Sequence, residues 1–134
     1  MNSSYTYFDI ARTDLAAAFE MLKASMHNHA VRLCQQYIEK LMKECIHRNG
    51  GTESDLFLLH THRLAKLATR CEEITGIRFT DTEKLFLRTL TDYYFDTNYP
   101  GENYVEVTNH DAKEVYGKTL DFQLKHEAKL VGRI

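Results

Sequence analysis

Residues 28–48 read NHAVRLCQQYIEKLMKECIHR, and this stretch decides the fold. Its apolar side chains recur at intervals of three and four residues, at Ala30, Cys34, Tyr37, Leu41 and Cys45. Because side chains with that spacing share one face of a helix, the pattern predicts a helix that buries this face. Basic residues and then Asn49-Gly50-Gly51 follow, and such a sequence is typical of a helix end.

The same spacing recurs along most of the chain, while no stretch alternates for long enough to predict a sheet. Tyr104–Val107 is the best strand candidate, but it has no partner. Thr80 and Glu83 have the spacing of a capping box, and Thr108 to Asp111 is a weaker start signal of the same kind. Leu56–Leu59 is expected to add an extra turn that covers the bundle. The predicted helices are 5–25, 28–48, 60–75, 81–97 and 109–128. The connections between most of them are short. We therefore predict an all-α fold, an up-and-down antiparallel bundle of about five helices with a four-helix core.

Composition predicts one domain over residues 1–134, since this length is that of a single domain with a sizeable core. The three cysteines are an odd number, which argues against a disulfide framework and favours buried small side chains. The beginning of the chain, MNSSYTYFDIARTD, lacks the pattern of a secretory signal, and no apolar run is long enough to span a membrane. We therefore expect a cytoplasmic protein.

Charge is distributed unevenly, although the net charge of −2 argues only weakly against a general nucleic-acid binder. Residues 23–70 contain eight basic and four acidic residues. Residues 92–111 contain five acidic residues and neither lysine nor arginine. The pattern fits an ordinary solvated surface, and it also fits a polarised surface that orients a partner or a second copy of the chain.

Residues 96–104, DTNYPGENY, contain the only proline of the chain, Pro100, followed by Gly101. Proline disfavours helix at the residue before it and glycine permits a positive φ, so the stretch should end a helix and form a turn. A turn alone does not require the nearby tyrosines. Tyr99 and Tyr104 therefore either cap the core or serve an interface, where a tyrosine offers stacking and one hydroxyl.

Metal and nucleophile patterns are weak. Glu44-Cys45-Ile46-His47 has the spacing of a di-iron ligand pair, but those bundles need a second copy on another helix. The pairs His27/His29 and His60/His62 are two residues apart, and on a helix that spacing points the rings to nearly opposite sides. We predict no metal and no cofactor.

Four short motifs in a fixed order resemble a known family. They are Ala-Arg-Thr-Asp-Leu at 11–15, Glu39-Lys40 about two turns after Arg32, Thr61-His62 opening the third helix, and Tyr99-Pro100 before the last. Together they resemble the HEPN domain (higher eukaryotes and prokaryotes nucleotide-binding), in its small stand-alone prokaryotic branch. The resemblance implies an up-and-down helical bundle that commonly forms homodimers. It also implies pairing with a small nucleotidyltransferase, often as toxin and antitoxin.

Many members of that family are metal-independent ribonucleases with an Arg followed, four to six residues later, by a His. Arg88 is the natural place for this motif, but the positions where the His should fall are Tyr93, Tyr94 and Phe95. The family's loop often reads Arg-Tyr-Pro-Asp, whereas this chain has Asn98-Tyr99-Pro100-Gly101. The usual catalytic His and a natural phosphate contact are therefore both missing.

We therefore predict a non-catalytic dimeric HEPN module that binds a nucleotide, RNA or a partner nucleotidyltransferase. Its candidate binding residues are Lys40, His62, Asn98, Tyr99 and Pro100. Structural alternatives remain for two of them, since Lys40 can pair with Glu44, as Glu39 can with Lys43, and His62 can hold the entry to its helix.

The alternative function is a ribonuclease with a rearranged site. Its acid or base would be His62 or His110, helped by Arg88 or Arg63, and these groups would have to lie within hydrogen-bond reach of one another.

Overall fold

The structure, a computed structural model, describes residues 5–132. This part of the chain contains six helices. The extreme ends of the predicted domain, residues 1–4 and 133–134, lie outside the described residues. The helices are α1 (Tyr7–Lys23), α2 (His27–Asn49), α3 (Glu53–Leu58), α4 (Leu64–Thr75), α5 (Asp81–Asn98) and α6 (Asn109–Leu130). Within the described range there is no strand, and the strand candidate at 104–107 is part of the irregular connection between α5 and α6. The predicted all-α class is confirmed.

Local start and stop signals account for most helix boundaries. The Thr80 hydroxyl accepts from the Glu83 amide and the Glu83 carboxylate accepts from the Thr80 amide, which is the predicted capping box. Thr108 caps α6 through the Asp111 amide, also as predicted. Two further boxes, at Thr6 and Thr52, use an aspartate in place of the usual Glu or Gln. Neither of these two boxes was among the predicted helix starts.

The start of α4 differs from its prediction by four residues, at Leu64 instead of residue 60. Arg63 is extended and its side chain makes no cap. The Leu64 amide instead donates to the Thr91 hydroxyl of α5, at 3.2 Å. A helix start that is capped from another helix leaves no signal in the local sequence.

Contacts near the helix ends show how the helices run. α1 is antiparallel to α2, because Tyr7 lies against His47. α5 is antiparallel to α6, because the ring of His126 is hydrogen-bonded to Glu83. α3 and the residues after it carry the chain back from the end of α2, so that α4 runs parallel to α2. Cys71 of α4 accordingly lies beside Met42, and the chain next to His62 lies beside Gln35.

Helix α2 lies at the centre of the bundle. Thirteen of its 23 residues are buried, more than a single apolar stripe would account for, and α1, α3, α4, α5 and α6 all pack against it. Its buried residues include the polar side chains Gln35, Glu39, Lys43 and Glu44. The three cysteines, Cys34, Cys45 and Cys71, are free and buried in the same core. None of the helices within the described residues has the length and apolar character needed to cross a membrane.

A forked ion pair fastens α3 to α4. The Arg70 guanidinium donates to both carboxylate oxygens of Asp55, at 2.7 and 3.2 Å. Asp55 also accepts from the backbone amides of Gly51 and Thr52. The hydrogen bond from Arg70 is the largest of the effects that lower the pKa of Asp55, to about 2. The carboxylate is therefore part of what stabilises the return segment between α2 and α4.

Replacing Asp55 with asparagine should lower the urea midpoint of unfolding at neutral pH, because it removes the charge that Arg70 pairs with. The folded pKa of about 2 lies below the ordinary aspartate value of 3.8, so this contribution is complete above about pH 4. It is lost as the pH falls through about 2, and the wild type and Asp55→Asn should converge there. Midpoints measured between pH 7 and pH 2 check this.

Glu73→Gln is the matched control, since Glu73 also pairs with Arg70 but is exposed. If the difference between Asp55→Asn and wild type does not change with pH, the ion pair is not its cause.

Candidate functional site

A buried carboxylate on α2 organises the residues that the sequence singled out. Glu39 is 2% exposed, and its Oε1 accepts from Gln35 Nε2 and from His62 Nδ1, each at 3.0 Å. Its Oε2 accepts from Lys43 Nζ at 2.9 Å, which is the predicted pair one turn along the helix. Burial acts to raise the pKa of Glu39, but hydrogen bonds from Gln35 and Lys43 outweigh it and the pKa is lowered. Glu39 is therefore an anion.

The Glu39 carboxylate fixes the orientation of His62. An ionised carboxylate only accepts hydrogen bonds, so Nδ1 of His62 donates and its other nitrogen, Nε2, is left for a different partner. Among residues 5–132, Nε2 has no hydrogen-bond partner, and the His62 side chain is 43% exposed. The backbone carbonyl of His62 also accepts from Gln35. His62 therefore holds the residues before α4 against α2, as one interpretation of the sequence predicted. It also presents its Nε2 atom outward.

Tyr94 of α5 covers one face of the His62 ring, with ring centroids 4.8 Å apart and an interplanar angle of 31°. It occupies one of the three positions where the ribonuclease motif would place its His. Burial raises the pKa of Tyr94, and the Glu39 carboxylate and Tyr99 raise it further. The nearby Gln36 side chain acts in the opposite direction and lowers the pKa of Tyr94. Tyr94 thus links the buried network to the loop that contains Tyr99.

Lys40 faces α1. Its Nζ donates to Gln36 Oε1 at 2.6 Å and lies 3.6 Å from Asp14 Oδ2. The alternative pair with Glu44 does not form, and Glu44 lies 3.8 Å from Arg48 instead. The reason is that Asp14, which is half-buried on α1, offers Lys40 a carboxylate from the neighbouring helix. Gln36 connects Lys40 to the network around Glu39, because it also donates to Gln35.

Two residues at the start of α2 tether the loop that follows α5. Asn28 donates to the Val105 carbonyl at 3.0 Å and accepts from the Val107 amide at 2.7 Å. Arg32, one turn later, donates to the Thr97 carbonyl at 2.6 Å. No local pattern predicts the role of Asn28, because its partners lie 77 and 79 residues away in the chain.

The predicted loop residues Asn98, Tyr99 and Pro100 are exposed at the end of α5. Tyr99 and Pro100 line a cavity of about 200 Å³, which we call the loop pocket. Its wall combines aromatic and acidic side chains, Phe95, Tyr99, Tyr104, Asp96 and Glu102, and contains no lysine or arginine. Arg63 lies over the Phe95 ring, 5.6 Å from its centroid.

The structure separates the other candidates from His62. Arg88 is exposed on α5, six residues before Tyr94, and that spacing turns it to a different side of the helix. His110 is exposed in the first turn of α6. Neither makes a hydrogen bond, ion pair or ring contact with His62. Arg63 is the predicted partner that lies closest in the fold, through Phe95 beside Tyr94.

A larger cavity lies at the opposite end of the bundle. It measures about 580 Å³ and is lined by residues at the start of α1 and the end of α2, including Tyr7, His47 and Arg48. No residue predicted to bind a ligand lines it, and Arg48 already donates to the Val131 carbonyl. Within residues 5–132 no group of three or more His, Cys, Asp or Glu side chains is placed to hold a metal ion.

These observations define the class of protein. It is an all-helical bundle whose central helix carries a buried Gln–Glu–Lys network that faces a histidine. The model of the HEPN domain matches residues 5–122, which is most of the chain, so the chain belongs to the HEPN domain family. HEPN domains include both nucleotide-binding modules and ribonucleases, and they often dimerise. No curated protein and no solved structure matches the chain significantly.

Replacing Glu39 with glutamine should cost about 3 kcal/mol of unfolding free energy, because it leaves the Lys43 ammonium buried without its anion. Urea unfolding at neutral pH measures the loss. Glu20→Gln is the control, since Glu20 makes an exposed ion pair with Lys23 on α1 and should change stability by less than about 0.5 kcal/mol. Equal losses in the two variants would mean that the buried network does not hold the fold together.

Proposed function

We propose that this protein is a non-catalytic, dimeric HEPN module of the cytoplasm that acts by binding a nucleotide or a partner nucleotidyltransferase, in a toxin–antitoxin-like setting. Lys40, His62, Asn98, Tyr99 and Pro100 are its candidate contact residues. One observation carries the proposal. Tyr94 occupies one of the three positions where the family's ribonuclease motif would place its histidine, and it packs against His62, the predicted site histidine that belongs to the buried network.

The residues that line the loop pocket favour contact with a protein over contact with a phosphate group. A phosphate needs cationic or amide donors, and no lysine or arginine lines the loop pocket, whereas two carboxylates do. The pocket, at about 200 Å³, is also smaller than the roughly 300–1,000 Å³ of typical small-molecule sites. Exposed tyrosines such as Tyr99 are common anchors in protein interfaces, since they bury a large area at a small entropic cost.

The purified chain should sediment as a dimer and should leave RNA intact in the presence of a metal chelator. Isothermal titration with ATP and with AMP tests the nucleotide, and co-purification with a nucleotidyltransferase encoded beside the chain tests the protein partner. A strictly monomeric chain that binds neither nucleotide nor such a partner would contradict the proposal.

A ribonuclease with a rearranged site is the second candidate, and one observation favours it. Glu39 orients the His62 ring so that Nε2 faces outward, which is the arrangement of a general base. His110 and Arg88 contribute nothing to this group, and Arg63 is the nearby cation. The RNA assay separates the candidates when it includes His62→Ala and His110→Ala. Cleavage that His62→Ala abolishes and His110→Ala spares would establish the ribonuclease; cleavage that neither change alters would exclude this assignment.

Replacing Tyr99 and Tyr104 together with alanine should weaken association with a second copy or a partner while the bundle stays folded. Tyr99 is 59% exposed and Tyr104 is 46% exposed, so little core packing is lost. The Tyr104 hydroxyl accepts from Asn28 at 3.2 Å, and losing that bond costs only about 1 kcal/mol. Sedimentation and far-UV circular dichroism measure the two properties.

Leu124→Ala is the matched control, because Leu124 is an exposed apolar residue on α6, 84% exposed. If the control weakens association as much as the tyrosine changes, the loop is not the contact surface.

A further inference from the structure

We infer that the loop pocket of one copy receives the guanidinium of Arg63 from a second copy, so that two such contacts form the dimer interface. The inference rests on the proposed dimer and adds the surface through which it forms. It is carried by the shape of the pocket, the chemistry of its wall and the position of the basic residues beside it.

The pocket is already formed in the isolated chain. The carbonyl of Asp96 accepts from the Val105 amide at 2.9 Å, and α2 holds the loop on both sides of the pocket through Arg32 and Asn28. Tyr104 is held by the same asparagine. A partner that enters the pocket therefore does not have to order the loop first, which lowers the cost of association.

The wall of the pocket suits a guanidinium group. Asp96 and Glu102 contribute carboxylates to the lining, and Phe95, Tyr99 and Tyr104 contribute aromatic rings. A guanidinium stacks on aromatic faces and pairs with carboxylates, and arginine is enriched at protein interfaces for these reasons. The chain itself shows this preference at the same place, since its own Arg63 lies over the Phe95 ring. A phosphate, by contrast, would meet like charge at the carboxylates.

The second copy is the source of this cation because the surface is complementary to itself. Arg63, directly before α4, and Lys66, in its first turn, are both exposed. Arg63 lies beside Phe95, whose ring also lines the pocket, so a basic half and an acidic half adjoin on one surface. A two-fold axis between the halves places each basic half against the acidic half of the other copy.

Charge reversal tests the contact. Arg63→Glu and Asp96→Arg should each weaken the dimer about tenfold or more, because each reverses one partner in both contacts. An equimolar mixture of the two variants should associate about as well as the wild type, since the heterodimer has one native contact and one exchanged contact. Sedimentation equilibrium measures the dissociation constants. It should also show wild-type association weakening between about 50 and about 500 mM NaCl.

Two controls keep the outcome interpretable. Arg78→Glu reverses an exposed arginine between α4 and α5, at the other end of α5, and should leave the dimer unchanged. Asp96→Asn should weaken it less than Asp96→Arg does. The Asp96 carboxylate makes no hydrogen bond or ion pair among the described residues, so neither change should disturb the fold; circular dichroism verifies this.

The outcomes separate this inference from the proposed function. A wild-type dimer that Arg63→Glu and Asp96→Arg leave intact would overturn the inference while the dimeric module stands. Single variants that weaken the dimer, with no restoration on mixing, would exclude Arg63 as the partner of Asp96. A wild type that remains monomeric at every concentration would overturn both the inference and the dimer.

Discussion

The ionised carboxylate of Glu39, buried in the centre of the bundle, is the interaction on which the arrangement of the site depends. Burying a charge is costly unless donors surround it, and Glu39 has three, from Gln35, Lys43 and His62. The donor from His62 comes from the residues before α4, so satisfying the charge also fixes where that segment meets α2. His62 in turn packs on Tyr94, and α5 is thereby joined to the same group.

Helix periodicity explains why one helix can organise so much of the surface. Gln35, Glu39 and Lys43 follow one another at intervals of four residues and form a buried line on α2. A second line runs beside it, one residue further round the helix. Its members are Asn28, Arg32, Gln36 and Lys40. Asn28 and Arg32 hold the loop and the end of α5, Gln36 lies near Tyr94, and Lys40 faces α1. The two lines are coupled where Gln36 donates to Gln35.

The sequence predicted what depends on neighbouring residues and missed what depends on distant ones. The helices, the Thr80–Glu83 cap and the stop at Gly50 follow from spacing and local chemistry, and the structure contains them. The start of α4 was placed too early because its cap comes from Thr91.

The same distinction holds for the site. The sequence singled out Lys40, but its partner Asp14 lies on another helix, and the tether from Asn28 to Val105 joins residues that are 77 apart. Contacts of this kind exist only once the bundle has formed.

Two departures from the family's motifs fall in the last turns of α5. Tyr94 occupies one of the three positions where the ribonuclease motif would place its histidine, and Asn98 stands where the loop of the stand-alone branch often has an arginine. Between them lie aromatic rings, and beyond Asn98 the loop carries only acidic charges. The loss of the histidine alone would leave a phosphate site intact, and the loss of the arginine alone would leave a general base. Together with the carboxylates that line the loop pocket, the two departures are what favour the proposed protein contact over an anionic ligand at this loop. A surface of tyrosines and carboxylates suits a cationic group from a protein partner.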